Sequence, residues 1–233
     1  MPNTDDFTGF PKEGLQFLAD LAHNNNREWF NARKGVYLES VQGPAQAFVA
    51  ALGRRLKRLS PGIAYDTNPN GGGSLLRIYR DVRFSRDKTP YNTDVRMSFW
   101  EGPAKKEALS SFFVGISPEG AAVFAGNHLF DKPRLERYRQ AVADDASGKR
   151  LEKALAAVRK AGKYRVSGEH YKRVPAGFDP EHPRAGLLKY DSLYAVFDAI
   201  SPSKVRQPEL VDIVFEHCRN MAPLHEWLVD TFR

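Results

Sequence analysis

The chain has 233 residues, 42% hydrophobic and 27% charged, with a formal net charge of +7; that is long enough for a sizeable core and ordinary for a water-exposed globular fold. No apolar run approaches the roughly 18 residues a membrane span needs, and MPNTDDFTGFPKEG at the start has neither the basic nor the apolar region of a secretory signal. Cys218 is the only cysteine, which excludes an internal disulfide or a thiolate zinc site and fits a reducing, cytoplasmic setting.

In chain order, Leu15, Leu18 and Leu21 after Pro11 predict a short helix over about 11–22. Asn26 in 24-NNNREWF-30 is placed to cap a following helix carrying Trp29, Phe30, Arg33 and Tyr37. Pro44 starts a stronger helix with Phe48, Leu52, Leu56 and Leu59 on one face, stopped by 60-SPG-62. Its four cations, Arg54, Arg55, Lys57 and Arg58, read as a solvated face. The loop 68-NPNGGG-73 is not a Walker-type phosphate loop, since it lacks the GK[ST] ending and leads into strand pattern.

Strands are predicted at 74–83, 93–100, 110–117 and 121–125, the last two joined through 118-PEG-120 as a hairpin. Helices follow from Asp131 through Val142 and over about 148–161. Further strands are predicted at 163–166, 187–190 and 193–197, and a helical pattern runs over about 207–232, interrupted or restarted at Pro223. With no repeat and no linker in view, the pattern predicts a single α+β domain over 1–233: a mainly antiparallel sheet packed with helices from the N- and C-terminal regions.

The basic character is local. Arg54 to Arg96 holds ten Lys/Arg against four Asp, which is +6 of the chain's +7. A local excess of this kind points to an anionic partner. Within it, arginine recurs every third residue at Arg77, Arg80, Arg83 and Arg86. On a strand, Arg77, Tyr79, Asp81 and Arg83 would share one face, and Ile78, Arg80, Val82 and Phe84 the mostly apolar, core-facing other. The pattern should fail at 85-SRDKTPYNT-93, which is rich in turn formers and contains Pro90, leaving Arg86 and Lys88 on a loop. Two readings stand side by side. The arginines hold an anion with their planar forks, or they pair with Asp81 and Asp87 to pin a long loop.

The six histidines show no metal-ligand spacing, and no cofactor motif is present. His217 and His225 read as packed or surface residues, and Cys218 as a buried, inert thiol.

The run 77-RIYRDVRFSRDKTPYNT-93 closely resembles the signature of the DUF2461 family of conserved hypothetical proteins. So do 24-NNNREWF-30 followed by Tyr37, 126-GNHLFDKPRLERYRQAV-142 and 171-YKRVPAGFDPEHPRAGLLKY-190, and the resemblance runs from about Phe10 to Leu228. The family is one of unknown function, so the resemblance implies a single domain and a motif but no reaction. His128 stands where the family pattern carries an apolar residue, which speaks against a catalytic part for it. By their polarity, 24–30, 77–93 and 182-HP-183 read as segments of one site.

The expected ligand-binding set is Arg77, Arg80, Arg83, Arg86, Lys88, Tyr79, Tyr91, Asn25 and Arg27. Asp81 and Asp87 are the candidates for a base or a metal ligand, if the site does hydrolase or transferase chemistry. Three functions compete. They are a site for an anionic, phosphate- or carboxylate-bearing small molecule, a nucleic-acid-binding surface built from cations and aromatics, and a non-catalytic interaction domain with a structural arginine network.

Overall fold

The computed structural model describes residues 7–69, 72–102, 104 and 108–233. Six strands form one antiparallel sheet, and helices make up most of the rest, an α+β fold as predicted. The strands are β1 (Ile63–Ala64), β2 (Val95–Glu101), β3 (Ser110–Ser117), β4 (Gly120–Asn127), β5 (Arg165–Glu169) and β6 (Tyr190–Ile200). Their order across the sheet is β1-β2-β3-β4-β6-β5.

The first helices follow their local signals. α1 (Lys12–His23) buries Leu15, Phe17, Leu18 and Leu21. Asn26 caps α2 (Arg27–Ala32) by accepting the Trp29 N–H at 2.9 Å. A short turn, α3 (Lys34–Val36), then runs into a π-helical turn at Tyr37–Gln42 and straight into α4 (Gly43–Leu59). On α4, Phe48, Val49, Leu52 and Leu56 are buried. Arg54, Lys57 and Arg58 are exposed, while Arg55 pairs with Asp212. That is the solvated face the sequence predicts.

The β3–β4 hairpin also forms as predicted, with burial alternating along each strand. It turns through Gly120, whose φ of 136° and 2.1 Å approach to the Ile200 carbonyl at the Cβ position exclude any side chain.

Three predicted elements differ. Residues 74–83 make no continuous strand; only the isolated bridges Leu75↔Met97 and Tyr79↔Tyr91 form. Between them the Asn92 side chain donates to the Ile78 carbonyl at 3.1 Å, and Pro90 has no N–H to give to a ladder. The predicted strand at 187–190 is a 3₁₀ turn, Leu187–Lys189, after which the segment expected at 193–197 is the middle of the longer β6. Pro223 does not interrupt the last helix: α8 runs unbroken from Leu210 to Phe232. Leu210, Val214, Cys218, Met221, Leu224 and Leu228 are all fully buried along it, and that burial outweighs the roughly 3 kcal/mol a mid-helix proline costs.

The chain divides into two compact units. The first comprises the described residues up to Phe99, Phe113–Val123 and Asp198–Glu216. Its core includes Phe7, set edge-to-face on both Phe10 and Phe48. The second comprises Trp100–Phe112, Phe124–Phe197 and His217–Arg233. There α5 (Lys132–Ala143) and α6 (Asp145–Ala161) meet at a junction closed by Arg184. This arginine is 4% exposed. It donates to the Val142 carbonyl at 2.7 Å and to Asp145 Oδ1 at 3.0 Å.

His225 is buried in the same unit between Ser110 Oγ at 2.9 Å and Glu101 Oε2 at 3.1 Å. His217 stacks on Phe197 at 3.9 Å and meets the Tyr164 hydroxyl at 2.8 Å. Both are packed, as the sequence reading expects. Burial pushes the Cys218 thiol far above its ordinary range, which leaves it inert.

Candidate functional site

The arginine-rich segment lies in the first unit and closes upon itself. The Arg80 guanidinium reaches Asp87 Oδ2 at 2.5 Å, the Thr89 carbonyl at 3.2 Å and the Thr89 hydroxyl. Arg83 grips Asp81 through both forks, Nε to Oδ1 at 2.9 Å and Nη2 to Oδ2 at 2.7 Å. Lys88 Nζ donates to the Val82 carbonyl at 2.9 Å.

These partners set the acidity of the two aspartates. The Arg83 hydrogen bonds hold Asp81 at about 2. The Thr89 N–H and then Arg80 hold Asp87 at about 2. Carboxylates this acidic are poor general bases at neutral pH.

Phe84, expected on the core-facing side, is 95% exposed. Period-two alternation of exposure persists through Arg83, with Arg77, Tyr79, Asp81 and Arg83 exposed and Ile78, Arg80 and Val82 more covered, and it fails at Phe84.

A second set of contacts joins this segment to the N-terminal helices. The Asn25 amide reads the Tyr91 backbone in both directions, donating to its carbonyl at 2.9 Å and accepting its N–H at 3.0 Å. The Tyr91 ring then stacks on Phe30 with centroids 4.2 Å apart and lies 5.3 Å from Tyr79. Burial, with Tyr79 beside it, raises the Tyr91 hydroxyl above its ordinary range, and the exposed Arg27 pulls the other way. Tyr37 completes the aromatic cluster, 5.3 Å from Phe30.

In front of this cluster lies a cavity of about 480 Å³. α2 contributes Phe30, α3 contributes Lys34, and the π turn contributes Tyr37, Leu38 and Gln42. The facing wall is Pro69, Arg77, Ile78 and Tyr79. The wider π turn matters here, since such turns displace side chains that a regular helix would place elsewhere. The cavity thus combines an apolar floor, two phenols, an amide and two cations, Lys34 and Arg77. Burial and then the neighbouring Tyr79 push the Tyr37 hydroxyl up to about 12, so it stays a neutral donor at physiological pH.

The structure therefore sorts the expected residues into groups. Arg77 and Tyr79 line the cavity, while Asn25 and Tyr91 hold its back in place. Arg80, Arg83, Arg86, Lys88, Asp81 and Asp87 do not line it; they form the adjoining loop, and Arg27 is exposed at the start of α2. The segments 24–30 and 77–93 do come together. His182 and Pro183 belong to the other unit, where the His182 ring accepts the Arg184 N–H at 3.1 Å and Pro183 lines a different cavity beside Glu152 and Arg159. Lys34, Leu38 and Gln42 are the lining residues that sequence reasoning passed over. Their one signal is position, four to twelve residues after the Asn25–Phe30 segment, on a stretch with no sharp amphipathic pattern.

A family model described as that of a conserved hypothetical protein (DUF2461) matches residues 13–227. No curated protein matches the chain.

Proposed function

Because the chain belongs to the DUF2461 family, whose description carries no reaction, we propose a function from the cavity itself: it binds an anionic small molecule that bears a planar or ring-shaped body. The observation that supports this reading is the placing of Lys34 and Arg77 on the walls of a cavity whose other walls are Phe30, Tyr37 and Tyr79. Lys34 and Arg77 meet a phosphate or carboxylate, and the Arg77 fork suits its paired oxygens. The aromatic walls cover the ring, and the neutral Tyr37 hydroxyl and the Gln42 amide donate to its polar edge. About 480 Å³ lies within the range of small-molecule sites.

The role is binding first. Among the described residues lining the cavity there is no carboxylate or imidazole, and Asp81 and Asp87 are held ionised in ion pairs outside it.

The test is a thermal-shift and calorimetric screen against inorganic phosphate, pyrophosphate, nucleotides and sugar phosphates. A ligand at ~100 times its dissociation constant adds roughly 2.7 kcal/mol of stability, which for a chain of this size raises Tm by roughly 5–11 °C. The shift should vanish in Lys34→Ala and in Arg77→Ala and persist in Arg83→Ala. A shift abolished by Arg83→Ala alone would move the site to the loop and overturn this assignment.

A further inference from the structure

One side chain of the arginine loop stands almost wholly in solvent. Phe84 is 95% exposed, more than any other large apolar side chain among the described residues. A single exposed apolar residue is unremarked on a loose loop, but this loop is held down. The Val82 carbonyl accepts the Ser85 N–H at 3.4 Å and Lys88 Nζ at 2.9 Å, closing the turn that carries Phe84. Arg83 is forked onto Asp81, and Asp87 takes both Arg80 and the Thr89 N–H. The ring is displayed at a set position rather than left to fold away.

Its surroundings are cationic. Residues 80–88 carry Arg80, Arg83, Arg86 and Lys88 against Asp81 and Asp87, a net +2. The Arg83 guanidinium carbon lies 5.8 Å from the Phe84 ring centroid. The pair with Asp81 engages Nε and Nη2, so Nη1 takes no part in it. Arg86 and Lys88 follow within four residues, both exposed.

We propose that this loop is a docking tip for single-stranded nucleic acid, with one base stacked on Phe84 and the flanking phosphates met by Arg83, Arg86 and Lys88. A fixed exposed ring between cations matches a partner that offers a flat π-face and negative charge at regular intervals. A single strand offers both at once, whereas the bases of a duplex are already stacked and closed to a side-chain ring. The inference is independent of the cavity, because none of these four residues lines it.

The experiment measures anisotropy of a labelled oligothymidylate of about ten nucleotides with the full chain, across a salt series beginning near 50 mM. Three phosphate contacts on a single strand give a slope of log K against log salt of about −2, and Arg86→Ala brings it to about −1.4. Removing one stacked base by Phe84→Ala weakens binding by about 5- to 150-fold. Its Tm should stay unchanged, since the ring is exposed, so the loss is not one of folding. Phe84→Trp should retain binding, and the added tryptophan should be quenched by the strand. Lys34→Ala should bind the strand as the native chain does, which separates this tip from the cavity. No binding at low salt, native-like binding by Phe84→Ala, or equal binding of a duplex of the same length would each overturn the proposal.

Discussion

Replacing Arg184 with alanine should lower the melting temperature by roughly 6–12 °C. The residue is 4% exposed and closes the junction between α5 and α6. Its Nε donates to the Val142 carbonyl at 2.7 Å, and Nη2 lies 3.4 Å from both the Ala143 and Asp144 carbonyls. Val142 and Ala143 supply the last carbonyls of α5, which have no partner within that helix and sit at the negative end of its dipole, while the Asp144 carbonyl also accepts the Gly148 N–H at 2.8 Å. A charge-assisted hydrogen bond of this kind contributes about 1.5–3 kcal/mol, and the buried Val142 carbonyl left behind adds about 1–3 kcal/mol of its own.

Taking about 3 kcal/mol as the combined loss, a chain of this length shifts its Tm by roughly 2–4 °C per kcal/mol. Differential scanning calorimetry reads the shift directly. Arg184→Lys keeps the charge but not the fork and should fall between alanine and native. Gly148→Ala tests the same junction from the other side. A Cβ there would stand 2.2 Å from Arg184 Nε and 2.5 Å from the Val142 carbonyl, so it should be destabilising even though alanine favours helix. An Arg184→Ala chain melting within about 2 °C of native would refute the assignment of this arginine to the α5–α6 junction.

Two titrations follow from the first unit. Asp81 and Asp87 have folded pKa values lowered to about 2. Their ion pairs should therefore contribute fully above the ordinary carboxylate range and be lost as pH falls from about 4 through about 2. Carboxyl-carbon NMR reads both midpoints, and Arg83→Ala should return Asp81 alone toward the ordinary range. Tyr37 is raised to about 12, so its contribution runs the other way. It is intact below the unfolded tyrosine value near 10 and declines as pH rises through about 12. An ultraviolet difference titration should show a tyrosine step near pH 12 that disappears in Tyr37→Phe, while the more deeply buried Tyr138 ionises later still in both chains.

Local chemistry was legible wherever neighbours in the chain decide the conformation. The Asn26 cap, the apolar faces of α1 and α4, the solvated cations on α4 and the β3–β4 turn at Gly120 all follow from spacing and turn preference. The motif 77–93 was also legible as a unit, because its aspartates and arginines pair within a few residues of one another. What could not be read was where that motif points. Period two placed Phe84 toward the core, but the alternation of exposure fails at that residue and leaves the ring in water. Nor could spacing join Asn25 to Tyr91, 66 residues apart, or set Lys34 across from Arg77.

The continuity of α8 through Pro223 and the burial of Arg184 are of the same kind. Each depends on what packs against it, and a local cost is outweighed only by partners brought from elsewhere in the chain. Composition and periodicity determined the fold class, the location of the basic segment and most helix boundaries, since those rest on interactions within a turn or two of the backbone. The tertiary structure alone decided which cations face a cavity, which are spent on their own loop and which aromatic is left outside, because those outcomes rest on contacts between segments that no local pattern relates.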